Sequence, residues 1–200
     1  MLAKIAATVD VVSAGRLNFG IGAGSRPFPP AAHREYAAHG LPFHKPAHAV
    51  ASLDEACTII RRLWTEHEPF DFDGRIHQLL GAHCNPKPIQ QPGPPIMIGG
   101  RSTPTMRVVA RHADIWNMPG GDIPGAAERT QFLDRCCAEI DRDPSTIVRS
   151  TTVTVDLEHP TRTREAIDAV LDIGFRHVVL ILPGPYPANT ARAVADLIST

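Results

Sequence analysis

The chain has 200 residues, 43% of them hydrophobic, with 20 basic and 21 acidic side chains and a formal net charge of −1. That apolar fraction is enough for one sizeable core and excludes whole-chain disorder. The balanced charge removes the electrostatic argument for nucleic acid or a membrane surface, so the expected ligand is a small molecule.

Cys57, Cys84, Cys136 and Cys137 show no C-x-x-C spacing, and Cys57, Cys136 and Cys137 fall in helical patterns. Thiols so placed pack as small hydrophobes, which fits a reducing cytoplasm. With no signal-peptide pattern and no run of about 18 apolar residues, the chain reads as soluble, unexported and cytoplasmic.

Leu2, Ile5, Val9 and Val12 recur at spacings of three and four, with Gly15 where a left-handed cap belongs, so residues 2–13 are expected to form a helix. From Arg16 to Gly24, Leu17, Phe19 and Ile21 alternate before the backbone loosens into glycines, which is a strand ending in a flexible mouth. Gly20, Gly22 and Gly24 do not make a dinucleotide fingerprint, because Ser25 and the prolines 27, 29 and 30 replace the third spaced glycine and its helix. A tight strand exit and a ligand contact account for Gly22 and Gly24 equally well.

Residues 25–48 read as a long polar, proline-interrupted loop, of the kind that serves as a lid. His33, His39, His44 and His48 lie in it, but a metal would want ligands on rigid elements, so they read as solvated and no metal is expected. Residues 49–66 form the clearest helix, with Val50, Leu53, Ala56, Cys57, Ile60, Leu63 and Trp64 on one core-facing stripe. Residues 70–95 then hold a hairpin signal at Asp73-Gly74 and five prolines between Asn85 and Pro95, which make a stiff connector.

That connector leads into Pro95 to Pro104. Its short β-branched run wants both faces covered, Gly99 and Gly100 let backbone approach a ligand, and Ser102 or Thr103 before Pro104 starts a helix. Strand, glycine turn and helix start form a phosphate cradle, because the first N–H groups of the helix lack partners there. The remaining chain alternates helix (105–112), strand (113–117), helix (126–140), strand (147–155), helix (164–172), strand (177–182) and helix (190–198) by periodicity and β-branching.

Such alternation predicts an α/β fold with a parallel sheet. Five strands cannot close a (β/α)8 barrel of about 250 residues, so an open sheet or a partial TIM barrel is expected. Two uncovered sheet edges would favour a homo-oligomer.

Several of these stretches stand in an order that resembles a known family. Ala3 to Gly24, Asp73-Gly74-Arg75, Pro86-Lys87-Pro88-Ile89-Gln90, Pro94 to Gly100 and Ala113-Asp114-Ile115-Trp116-Asn117 are similar to motifs of the luciferase-like flavin oxidoreductases, the bacterial luciferase-like monooxygenase superfamily. The nearest branch is the one using the deazaflavin F420, and FMN-using relatives share most of the motifs. The resemblance covers nearly the whole chain and aligns it with roughly the C-terminal two thirds of the family, beginning at the helix before the fourth barrel strand.

The resemblance implies strands 4 to 8 of a (β/α)8 barrel, with the cofactor at the strands' C-terminal ends. By position, Gly99, Gly100, Arg101, Ser102 and Thr103 match the cofactor-phosphate cradle, Gly22 and Gly24 the loop beside it, and Trp116 and Asn117 the end of the next strand. The chain departs from the family where Ser25-Arg26-Pro27-Phe28-Pro29-Pro30 replaces an aromatic and acidic run.

The expected function is an oxidoreductase using F420, or alternatively FMN, for hydride transfer or monooxygenation of a small organic substrate. The cofactor carries the chemistry, so no catalytic triad is required and no catalytic residue is assigned. His112 at a helix end and His177 at a strand start read as structural, whereas Arg101 could pair with a phosphate or remain a solvated cap. The competing expectation is a catalytically incomplete barrel that is inactive or completed by another chain.

Overall fold

A computed structural model describes residues 1–24, 30–120, 123–182, 184, 186 and 189–199. In chain order the elements are α1 (Leu2–Val12), β1 (Phe19–Ile21), α2 (Pro30–Ala38), α3 (Pro46–Thr65), β2 (Phe70–Asp73), β3 (Gln78–Ala82), β4 (Ile96–Gly99), α4 (Thr103–His112), β5 (Ile115–Met118), α5 (Ile123–Ala138), β6 (Val148–Thr154), α6 (Pro160–Asp172), β7 (His177–Ile181) and α7 (Thr190–Ser199). The sheet has five strands in the order β1-β4-β5-β6-β7, every neighbouring pair parallel. It remains open, with β1 and β7 at its edges.

The core lies between one face of this sheet and the helices. Phe19, Ile96, Ile98, Trp116, Met118 and Val153 point to that side and pack with Leu53, Cys57, Ile60, Leu63 and Trp64 of α3 and with Met106 and Val109 of α4. Burying each large apolar side chain contributes about 1.5–3 kcal/mol. Trp64 also donates from its indole to the Ala3 carbonyl at 3.0 Å and meets Phe19 edge-on at 5.3 Å, locking α3 to α1 and β1.

The alternate residues face the other way. On β7, His177, Val179 and Ile181 are exposed, the last two by 39% and 47%, and Val148 at the start of β6 is exposed by 43%. The helices therefore cover only one face of β7, although its run Val178 to Ile181 is apolar throughout.

Asp10, fully buried, pins the proline-rich connector to α1. Its carboxylate accepts N–H bonds from Ile89 and Gln90 at 2.9 and 3.0 Å and from the Gln90 amide at 2.6 Å. Burial alone would raise its pKa, but these donors outweigh burial and hold it below the usual 3.8.

Other expectations are corrected at element ends. The first strand is only Phe19–Ile21, and α6 begins earlier, at Pro160. The loop over 25–48 contains helix α2, while residues 25–29 lie outside the described residues. The hairpin β2/β3 is present and antiparallel, and all four cysteines are buried and free. Among the described residues, no helix is long and apolar enough to cross a membrane, and no group of three or more acidic, histidine or cysteine side chains is placed to hold a metal.

Candidate functional site

The site lies where β1 and β4 end. Ser102 caps α4: its hydroxyl accepts the Thr105 N–H at 3.3 Å and lies 2.8 Å from the Thr105 hydroxyl. Pro104 brings no N–H, which suits the first helical turn. The Gly100 N–H is already used, donating to the Asn117 carbonyl at 3.1 Å, and the Trp116 indole donates to the Gly100 carbonyl at 2.8 Å. Among the described residues, the cradle donors that remain are therefore the backbone N–H groups of Arg101, Ser102 and Thr103.

Gly100 is a glycine of necessity. Its φ is +138°, and a Cβ there would come to 3.0 Å from the Thr105 methyl. Gly24, at φ +87°, lies directly under the Tyr36 hydroxyl, so α2 comes down onto the exit of β1.

A cavity of about 550 Å³ opens between these loops, α2 and the first half of α3. Gly22, Gly24, Gly99, Gly100, Arg101 and Ser102 all line it. Thr103 opens α4 outside the lining, Trp116 is fully buried against Phe175, and Asn117 meets the cradle through its carbonyl. Trp116 and Asn117 thus hold the glycine turn from behind. No Asp or Glu lines the cavity among the described residues, while Arg101, His44 and His77 do. The arrangement suits an anionic group on a ligand of cofactor size.

The family model for luciferase-like monooxygenases matches residues 1–197. The chain belongs to this family. Solved structures agree on the fold of this luciferase-like chain. An F420-dependent secondary alcohol dehydrogenase in complex with an F420-acetone adduct superposes with a TM-score of 0.82 at 16% identity, over 99% of this chain and 73% of that one. The monooxygenase RslO1 from Streptomyces bottropensis gives 0.75 at 20% identity, over 99% and 72%. An uncharacterised protein of Mycobacterium tuberculosis is 34% identical over 123 residues, which is 61% of this chain and 40% of that protein. The matched segment thus spans about two fifths of the length of the curated relatives it matches.

Two sets of contacts near this luciferase-like site were not read from sequence. One is the wall at α2, where Tyr36 and Phe43 meet edge-on at 4.9 Å beside the stacked His33 and Phe43 rings. The other is a row on the open sheet face, where the Asn117 amide donates to the Ser150 hydroxyl at 2.9 Å and that hydroxyl lies 2.9 Å from His177 Nδ1. Strand register aligns them, pairing Gly99 with Asn117, Asn117 with Ser150 and Ser150 with His177. The alternation of β6 carried the only sequence signal for Ser150.

His112 is structural for another reason than helix polarity. Its Nε2 lies 2.7 Å from the Asp54 carboxylate, which also takes two bonds from Arg111, tying α4 to α3. Burial lowers its pKa more than the Asp54 hydrogen bond raises it.

Proposed function

We propose that this chain holds the phosphate-bearing tail of F420, or alternatively FMN, as part of an oxidoreductase acting on a small organic substrate. The observation that carries the reading is the donor set of the cradle opening on a cavity lined by no carboxylate among the described residues. The N–H groups of Arg101, Ser102 and Thr103 would receive phosphate oxygens, the Arg101 guanidinium would pair with them in a forked contact, and Gly22, Gly24, Gly99 and Gly100 would allow backbone to approach. The bound cofactor supplies hydride transfer or, with FMN, oxygen chemistry. The chain's residues bind and orient it. Fluorescence titration of the purified chain with F420, and separately with FMN, is expected to give a saturable change with at least one. No saturable change with either overturns the reading.

The partly exposed face of the sheet opposite the helices, with edges at β1 and β7, favours a second reading in which turnover requires another polypeptide to cover that face. It predicts cofactor binding without turnover by this chain alone, and turnover by the isolated chain would exclude it.

A further inference from the structure

The cavity is larger than a phosphate needs, and its second wall is built differently from the cradle. That wall comes from the segment leading into α3, from α3 itself and from the β2/β3 turn, and it carries His44, Ser52 and His77. His77 is held in place twice. Its Nε2 lies 2.9 Å from the Ser52 hydroxyl, and its backbone N–H donates to the Glu55 carboxylate at 2.8 Å. Glu55 also accepts from Arg75 at 2.9 Å and Ile76 at 3.0 Å, so the turn is wrapped around one carboxylate. His44 is stacked on His48 at 4.2 Å.

Glu55 is spent on the backbone of the turn and is not among the lining residues. Two imidazoles and a hydroxyl therefore face a space whose other wall holds Arg101, with no carboxylate lining it among the described residues. A ligand there would bring the counter-charge, and a phosphate at the cradle accounts for only one wall. Imidazole and hydroxyl donors on a partly exposed wall suit a carboxylate or phosphate oxygen.

We infer that His44, Ser52 and His77 form a second anion subsite, so that this cavity takes an elongated ligand with one anionic group at Gly99–Ser102 and another at this wall. The inference rests on the proposed reading of the cradle. The second group belongs either to the same cofactor or to an acidic substrate beside it. F420 carries glutamate carboxylates beyond its phosphodiester, whereas FMN ends at its phosphate.

The test uses the full chain and the His44→Gln/His77→Gln double variant, with Ser52→Ala as a milder second variant. Thermal melting by circular dichroism checks that each is folded. Three titrations are compared: F420, FMN, and free glutarate added to protein already saturated with FMN. Loss of at least about tenfold in F420 affinity with FMN affinity unchanged supports the subsite and assigns it to the cofactor tail. Saturable glutarate binding that the double variant loses supports it and assigns it to a substrate. Unchanged F420 affinity together with no variant-sensitive glutarate binding overturns it. If neither cofactor binds the parent chain, the cradle reading has failed; glutarate added to the free chain then decides the subsite alone, by the same loss or its absence.

Discussion

Arg101 is the residue on which cofactor affinity should turn. It is exposed at the head of α4 and lines the cavity, so on the proposed reading its removal costs a phosphate contact and little stability. Arg101→Ala is expected to weaken F420 or FMN binding by about 10- to 100-fold in a fluorescence titration, as loss of a charged hydrogen-bonded pair implies, with the melting temperature unchanged. Asp10 is the opposite kind of residue. Asp10→Ala strands the N–H groups of Ile89 and Gln90, and urea denaturation at pH 7 should show a loss of about 2–4 kcal/mol. Because its folded pKa lies below 3.8, this stabilisation is complete above that value and disappears as pH falls through the lower folded one. The gap between parent and variant should therefore narrow in acid. Of these two residues, only Arg101 had a place at the cavity legible in sequence: it follows a strand and a glycine pair and precedes Ser-x-Pro, all within ten positions. Asp10 was not, since the groups it serves lie 79 and 80 positions away.

At the scale of elements, periodicity located the long amphipathic helices well, because α3 and α4 bury continuous stripes. It missed α2, whose sequence has no apolar stripe and is ordered through Tyr36 and Phe43 instead. The β2/β3 excursion was legible from Asp73-Gly74, but the reason its turn is held in place was not. That reason is Glu55, whose carboxylate receives three consecutive backbone N–H groups, beginning with the strongest pull from His77, which lowers its pKa. Glu55→Ala should leave α3 folded while the amides of Arg75, Ile76 and His77 exchange with solvent much faster than in the parent, measured by hydrogen exchange. Unchanged protection at these three amides would show that something else orders the turn.

For the molecule as a whole, an open parallel sheet with helices on one face leaves an unusual surface. Val179 and Ile181 look like core residues in sequence, yet they are exposed. Ile181→Lys should consequently change stability by less than about 0.5 kcal/mol, where a buried site would lose several. The same substitution should reduce any self-association seen by light scattering, since it places charge on an edge strand. The helix-covered side behaves oppositely. Burial and the nearby Asp54 push the Cys57 thiol up to about 12, and all four cysteines are buried. Maleimide labelling should be negligible in buffer and complete in denaturant, which makes it a direct reporter of global opening.

The row Asn117, Ser150 and His177 carries one more consequence. The Ser150 hydroxyl is fully buried and already accepts from the Asn117 amide. Nδ1 of His177 lies 2.9 Å from the same hydroxyl, within reach of its proton. If the hydroxyl gives that proton to Nδ1, a singly protonated imidazole carries its own on Nε2. A hydroxyl inside the sheet would then set which ring nitrogen the imidazole offers as a donor outside it, and nitrogen chemical shifts of His177 should change when Ser150 is replaced by alanine.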